Sequence, residues 1–138
     1  DIVRSATENA SIVIAQVNPN MPRTRGQSEL HVFDLDYLVP SEAPILETTY
    51  GEETAETRQI AEYVAALVED RSTIEIGIGR IPHSLLGFLK EKKDLGIHTE
   101  MITDGIIELI EAGVINGSNK TLDRGKIVTS FCLGTRTL

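Results

Sequence analysis

Residues 72–104 constrain the fold more than any other stretch, because an extended pattern, a glycine turn and a helical pattern follow one another there. The run 73–76 is β-branched and alternates polar with apolar residues, as strands do. Gly77-Ile78-Gly79 comes next, and two glycines so close together let the backbone turn tightly and let another molecule approach it. Apolar residues at helical spacing over 81–89, with Pro82 suited to a first turn, then predict a helix.

A second strand is predicted over Ile97–Thr99, so that Glu100 follows the end of that strand. Strand, turn, helix and strand together form a βαβ unit, which predicts an α/β fold with a mostly parallel sheet. Ligands of such units bind at the carboxyl ends of the strands. The turn at Gly77–Gly79 and the carboxylate of Glu100 are therefore predicted to lie at one edge of the sheet.

The residues alone leave two interpretations of this edge open. One is an NAD(P)-binding Rossmann-like module, because a Gly-x-Gly turn follows a strand and an acid follows about 20 residues later. Pro82 stands where that fingerprint has its third glycine. The other interpretation is that the backbone N–H groups of Gly77–Gly79 point at a carbonyl or thioester while Glu100 acts covalently. The pattern does not choose between the two.

Several motifs in a fixed order resemble a known family. These are NPNMPRTRGQSELHV, GIGRIPHSLL, HTEMITDGIIELIEAGVING and GKIVTSF, which together cover nearly the whole chain. They resemble the central part of the acetyl-CoA hydrolase/transferase family, which contains the 4-hydroxybutyrate, butyryl-CoA:acetate and succinyl-CoA:acetate CoA-transferases. The resemblance implies an enzyme that moves CoA between an acyl-CoA and a short-chain carboxylate through a glutamyl-CoA thioester. Acetyl-CoA hydrolase activity is the alternative within this family.

The same resemblance implies roles for individual residues. Glu100 stands at the position of the nucleophile, and Ile78, between Gly77 and Gly79, offers its backbone N–H to the reacting carbonyl. Coenzyme A is then a substrate, and no separate cofactor is implied. Arg80 and His83 replace the glycine and the small or amide residue that close members often carry, which leaves the acyl group and its acceptor open. His83 is a predicted substrate-binding residue.

Polar residues outside the central motif have less specific predictions. Arg23 and Arg25 lie in the loop before Gly26. Two interpretations stay open: the loop is simply solvated, or Arg25 contacts a CoA phosphate or a substrate carboxylate. His31 is predicted to be a hydrogen-bonded packing residue, since no partner acid stands at a helpful spacing. Asp104 is predicted to cap the following helix. No spacing in the sequence resembles a zinc or iron site.

The remaining elements follow from hydrophobic patterns. They are predicted as strands at 11–17, 31–39 and 126–132 and as helices at 2–10, 55–69 and 105–112. The strand at 11–17 is predicted to be buried on both faces. Cys132 is predicted to be a buried core thiol. Thr54 or a neighbour is predicted to cap the long helix, whose core-facing stripe is predicted as Ile60, Val64, Leu67 and Val68.

The linker-like stretch 40–53, with two prolines and an acidic excess, is the predicted domain boundary. Residues 1–50 are predicted to end an N-terminal CoA-transferase domain and residues 51–138 to begin the C-terminal one. Members of the family are longer, so the chain is predicted to be an internal fragment that is inactive alone. Its sheet edges predict association, as a homo-oligomer or with a complementary fragment.

The balance of charges excludes several classes of partner. Among 138 residues, 41% are hydrophobic and 25% charged, and the formal net charge is -8. A strongly acidic chain is poorly suited to bind nucleic acid or an anionic membrane surface. No apolar run in the sequence is long enough to span a bilayer, and a single cysteine is typical of a reducing cytoplasm. The family resemblance implies an acyl-CoA and a short-chain carboxylate as partners, and the cysteine usage predicts a cytoplasmic location.

Overall fold

The structure is a computed structural model and describes residues 2–138. The chain divides into two compact units, of which the first ends at Leu46 and the second runs from Glu47 to Leu138. The assignment of the two parts of the chain to an N-terminal and a C-terminal CoA-transferase domain stays a prediction. The two units are described separately below.

The first unit contains a short helix and one pair of strands. Its elements are α1 (Val3–Asn9), β1 (Ile14–Val17), a 3-10 helix (Val32–Asp34) and β2 (Tyr37–Pro40). The strands pair in parallel, with Ile14 opposite Tyr37. The predicted strand at 11–17 thus forms only in its second half. Its predicted burial on both faces is wrong, because most of its residues are exposed and no described residue of this unit is buried.

The predicted strand at 31–39 is also only partly correct. The imidazole Nδ1 of His31 accepts a hydrogen bond from the N–H of Phe33 at 3.2 Å and caps the 3-10 helix that follows. A capping histidine turns the chain locally, so only the last residues of the predicted strand remain extended, as β2. His31 is hydrogen-bonded, as predicted, but it is exposed and contacts the ring of Phe33 at a centroid distance of 5.0 Å.

The second unit is a three-stranded parallel sheet with helices between the strands. In chain order it contains α2 (Ala55–Leu67), β3 (Thr73–Ile74), α3 (Arg80–Gly87), β4 (Gly96–Ile102), α4 (Gly105–Glu111) and β5 (Val128–Cys132). The strand order is β3-β4-β5, and both pairs are parallel. Thr73 pairs with Gly96 and Ile74 with Ile97. The predicted βαβ unit and the α/β fold class are therefore confirmed.

Strand β4 is longer than predicted, and its residues alternate in burial from Ile97 to Met101. Ile97, Thr99 and Met101 are buried, whereas His98 and Glu100 between them are exposed. Successive side chains of a strand point to opposite faces of the sheet, so Glu100 lies on the exposed face. The prediction that Glu100 follows the strand is wrong, because two more residues of β4 come after it.

The core of the second unit joins the sheet to its helices. It is formed by buried residues of α2, α3, β4, α4 and the adjoining loops: Ala65, Ile76, Leu86, Leu89, Leu95, Ile97, Ile106, Leu109, Val114 and Ile115. Pro82 lies in the first turn of α3, as predicted, where its missing N–H breaks no helical hydrogen bond. This core holds the sheet, the glycine turn and α3 together.

Helix α2 begins as predicted but packs differently. Thr54 and Thr57 form a reciprocal capping box, with hydrogen bonds of 3.3 and 2.9 Å between side chains and backbone N–H groups. The buried residues of the helix are Ala61 and Ala65. Three residues of the predicted apolar stripe are instead exposed: Ile60, Val64 and Leu67. The small alanines let the helix approach its neighbours closely, which larger side chains on that face would prevent.

Two further side-chain predictions are wrong. Asp104 stands at the N-cap position, directly before α4, but its carboxylate makes no cap hydrogen bond and accepts one from the N–H of Thr135 at 2.9 Å instead. Its αR backbone, at φ -52° and ψ -32°, is not the extended conformation that a capping side chain requires. Cys132 is exposed and not a core thiol, because β5 buries its side chains less than the central strand does.

Candidate active site

The turn at Gly77-Ile78-Gly79 leads from the end of β3 into α3. Gly79 has φ +132°, a conformation that side chains other than glycine adopt only with strain. Ile78 is 61% exposed, so the turn lies at the surface. The backbone N–H groups of these three residues donate no hydrogen bond to any described residue. The turn therefore presents unused backbone donors to solvent.

A buried threonine holds this turn against β4. The hydroxyl of Thr99 accepts a hydrogen bond from the N–H of Ile76 at 2.9 Å and donates one to the carbonyl of Ile76 at 3.0 Å. Ile76 directly precedes Gly77, and Thr99 directly precedes Glu100. Backbone pairing of β3 with β4 ends at Ile74 and Ile97, and beyond it the Thr99 hydroxyl joins the two segments. The residue before the turn and the residue before Glu100 are therefore in contact, and the joint role of the turn and Glu100 stays a prediction.

The carboxylate of Glu100 is exposed and unpaired. No hydrogen bond or ion pair joins it to another residue of the part of the chain that the structure describes. Its main chain is braced instead, because the hydroxyl of Thr129 on β5 donates a hydrogen bond to the Glu100 carbonyl at 3.1 Å. A fixed backbone with a free carboxylate can approach an electrophilic carbonyl without first breaking a salt bridge.

A cleft of about 520 Å³ lies elsewhere in the second unit, between the start of α2 and helices α3 and α4. Its lining residues are Gly51, Glu53, Arg58, Arg80, His83, Ser84, Leu86, Gly87, Phe88, Lys90, Asp104, Gly105 and Glu108. Neither Glu100 nor the Gly77–Gly79 turn is among them. The cleft therefore includes the predicted substrate-binding residue His83 but not the predicted nucleophile. The candidate active site is placed at the strand and turn, because the unpaired Glu100 and the turn with its free N–H groups directly follow the contact between Thr99 and Ile76.

The polar groups around His83 were not predicted from the sequence. Its ring stacks on Tyr50, with centroids 4.8 Å apart. His83 Nδ1, the Tyr50 hydroxyl and one carboxylate oxygen of Asp104 are buried and have no hydrogen-bond partner within residues 2–138. Burial raises the pKa of Tyr50 above its ordinary value. No sequence signal marks Tyr50, because it lies in the linker-like stretch far from His83 in the chain.

Ion pairs occupy the charged rim of this cleft. Arg58 pairs with Glu53 at 3.1 Å, and Lys90 pairs with Glu108 at 2.7 Å. The hydrogen bond from Lys90, helped by its charge, lowers the pKa of Glu108. Arg80 has no ion pair among the residues that the structure describes. It is thus the rim cation that remains available to an anion.

Arg25 lies in an exposed loop of the first unit. The neighbouring Arg23 pairs with Glu29 at 3.1 Å, whereas Arg25 forms no ion pair with any described residue. Its role as a substrate ligand stays a prediction. Across residues 2–138, no group of histidine, cysteine, aspartate and glutamate side chains is arranged to hold a metal ion. Nor does any helix in that range have the length and hydropathy needed to cross a membrane.

Comparison with known proteins gives a consistent set of relatives. No protein-family model matches the chain. Over all 138 residues the chain is 51% identical to the 4-hydroxybutyrate coenzyme A transferase of Clostridium kluyveri, and it spans 32% of that protein. It is 40% identical over 133 residues to the succinyl-CoA:cyclohexane-1-carboxylate CoA transferase of Geobacter metallireducens, covering 96% of this chain and 30% of that protein.

Solved structures give the same result. The 4-hydroxybutyrate CoA-transferase from Porphyromonas gingivalis matches with a TM-score of 0.90 and 40% identity, over 98% of this chain and 34% of that one. Fold and site thus define the chain as a parallel α/β segment that carries a glycine turn and an unpaired glutamate on a strand. The chain is, more particularly, a relative of the CoA-transferases, which confirms the resemblance seen in its motifs. It spans about a third of the length of the relatives it matches.

Proposed function

We propose that this chain carries the nucleophile of a CoA-transferase that moves CoA between an acyl-CoA and a carboxylate. The observation that carries the proposal is the free carboxylate of Glu100, which directly follows a threonine bonded to the residue before a turn whose backbone N–H groups are unused. The names of its relatives support this function, since they are CoA transferases acting on acyl-CoA and carboxylate substrates.

The proposed reaction proceeds in balanced covalent steps. The Glu100 carboxylate attacks the thioester carbonyl of the acyl-CoA and expels CoA thiolate, which leaves an acyl-glutamyl anhydride. The thiolate then attacks the glutamyl carbonyl of the anhydride, releases the first carboxylate and forms a glutamyl-CoA thioester. An acceptor carboxylate reverses both steps and leaves with CoA. Splitting one exchange into two displacements of this kind produces ping-pong kinetics.

The turn supplies electrostatic stabilisation in this mechanism. Each attack on a carbonyl generates a tetrahedral oxyanion, and the free N–H of Ile78 is the donor proposed for it. Gly79 supports this role because its conformation fixes the turn without strain. Loss of a single oxyanion donor typically costs about 3 kcal/mol of transition-state stabilisation. Rigid backbone donors are suited to this task, because they need no reorganisation when charge develops.

The proposal extends to substrates and setting. Arg25 and His83 are proposed to contact substrate. Gly77 and Gly79 are proposed to bind the reacting acyl-CoA beside Ile78. Coenzyme A is proposed to be a substrate, with no separate cofactor. We further propose that the enzyme works in the cytoplasm, as a homo-oligomer or with a complementary segment. The His83 side of the cleft is the proposed source of acyl preference, because the stacked rings of His83 and Tyr50 each carry a buried polar atom without a partner among the described residues.

Steady-state kinetics of Glu100 variants test the function. In the intact protein that carries this chain, Glu100→Ala is expected to abolish CoA transfer. Glu100→Asp is expected to transfer CoA slowly and to hydrolyse part of the acyl-CoA, because the shorter side chain misplaces the covalent intermediate and water reaches it. Glu91→Ala is the matched control, since Glu91 is exposed after α3 and forms no ion pair with a described residue. Full transfer by Glu100→Ala would overturn the proposal. Thioester cleavage that needs no acceptor indicates a hydrolase, and saturable NAD binding without CoA binding indicates a dinucleotide module.

A further inference from the structure

Two threonine hydroxyls bond backbone groups on either side of β4, next to Glu100. On one side, β3 ends at Ile74, and the hydroxyl of Thr99 bonds both the N–H and the carbonyl of Ile76. On the other side, the hydroxyl of Thr129 bonds the carbonyl of Glu100 at 3.1 Å and that of Phe131 at 2.9 Å. Thr99 and Thr129 are themselves paired in the register of β4 and β5.

We propose that Thr99 is a positioning residue that sets the distance between the Glu100 carboxylate and the backbone donors of the Gly77–Gly79 turn. The inference rests on the proposed function, because it assigns Thr99 a task in the same reaction. Thr99 is 7% exposed and lies on the buried face of β4, so it does not itself touch substrate. It acts through its two neighbours in the structure: Ile76, which leads into the turn, and Glu100, which follows it in the chain.

The hydroxyl is required because the strand that enters the turn has stopped pairing. Backbone pairing between β3 and β4 ends with Ile74 and Ile97, two residues before Ile76. A buried N–H and carbonyl without partners would be costly, and a single hydroxyl can serve both because it is donor and acceptor at once. Thr99 therefore lets the chain leave the sheet at Gly77 and still remain fixed to the strand of the nucleophile.

Thr129 completes the arrangement from the opposite side. Its hydroxyl fixes the peptide that follows Glu100, so one threonine ties residue 99 to the backbone of Ile76 and the other ties the carbonyl of residue 100 to β5. Positioning of this quality matters in covalent catalysis, since a shift of about 1 Å in a reacting group can cost about 100-fold in rate. Thr129 is the weaker brace, because β5 is more exposed than β4.

The test compares variants of Thr99 that lack or keep the side-chain hydroxyl. In the intact protein, Thr99→Val is expected to lower kcat about 100-fold, with KM for the acyl-CoA changed by no more than about twofold. Thr99→Ser keeps the hydroxyl and is expected to restore kcat to within about threefold of the unmodified protein. The matched control is Thr103→Val, because Thr103 is 3% exposed on the same chain segment and its hydroxyl has no partner within residues 2–138. The control should retain its rate.

Amide hydrogen exchange of the unmodified chain gives a second readout that needs no variant. The N–H of Ile76 should exchange at least about 10-fold more slowly than the unbonded N–H of Ile78, as one buried hydrogen bond predicts. Equal exchange at the two sites, normal turnover by Thr99→Val, or equal damage from valine and serine would overturn the inference. If the unmodified protein forms no glutamyl-CoA thioester, the proposed function itself fails, and the inference falls with it.

Discussion

Thr99 and Glu100 are neighbours in the chain and point to opposite faces of β4, one into the core and one to solvent. This alternation separates the two tasks of the site. The buried side chain fixes the geometry, and the exposed one remains free to react. A strand suits this division because its side chains alternate without any change of backbone conformation.

Cys132 gives a prediction about pH. Its thiol is exposed, yet the surrounding protein raises its pKa above the ordinary value by desolvation. A raised pKa means that the thiol keeps its proton to higher pH, so less thiolate is present at neutral pH. Alkylation by iodoacetamide, followed by mass spectrometry across a pH series, should therefore rise at higher pH than for a typical exposed cysteine.

The control for this measurement is Thr121→Cys in a Cys132→Ser background, because Thr121 is exposed in a loop. The rate profile of the control should have its midpoint at lower pH than that of Cys132. Coincident profiles would show that the environment of Cys132 leaves its thiol unperturbed.

Individual contacts of the site were only partly predictable from the sequence. The βαβ pattern and the family motif pointed to Glu100 and to the turn, because both signals are local in sequence. The hydroxyl brace from Thr99 joins residues 23 positions apart, and no local pattern encodes such a bond. Lys120 is a second example. It is 5% exposed and donates to the carbonyls of Ile97 and Lys126 at 2.8 and 2.7 Å, and no local pattern marks a lysine for burial.

Among the helices, α2 shows why hydrophobicity alone misplaces a packing face. The largest apolar side chains predicted the stripe, but the helix packs through Ala61 and Ala65, and Leu67 is 82% exposed. Close approach between helices favours small residues at the contact, which a hydrophobic pattern ranks low. The start of α2 was predictable, in contrast, because a capping box depends only on residues three positions apart.

This packing predicts opposite outcomes for two substitutions in α2. Ala61→Leu should destabilise the chain by about 1–3 kcal/mol, because the added methylene groups have no space in a fully buried site. Leu67→Ala should change stability by no more than about 0.5 kcal/mol, since the side chain is exposed. Urea unfolding followed by circular dichroism measures both. A larger loss for Leu67→Ala than for Ala61→Leu would contradict the structure and restore the predicted stripe.

The strands show a similar division between what was and was not predictable. The parallel pairing of β3 and β4 followed from the helix between them, because a crossover connection requires parallel strands. The burial predicted for β1 failed, since the apolar side chains of the first unit are not covered by other described residues of that unit. Periodicity identifies an extended segment, but what covers it depends on residues distant in the chain.

In the molecule as a whole, relatives and fold agree with the proposed chemistry. The chain corresponds to about a third of each relative, and Glu100 and its turn lie together in the second unit. The central claim is that Glu100 accepts CoA covalently. Every other proposal about the site depends on that claim, including the oxyanion donor at Ile78 and the brace at Thr99.

The most direct measurement is chemical trapping of the intermediate. The intact protein that carries this chain is incubated with acyl-CoA, treated with borohydride, digested and mapped by mass spectrometry. A glutamyl-CoA thioester is reduced by borohydride to the alcohol, so the account predicts loss of activity that requires acyl-CoA and a single modified peptide with the reduced side chain at Glu100. Modification of a different residue, or unchanged activity with Glu100 unmodified after the same treatment, would contradict it.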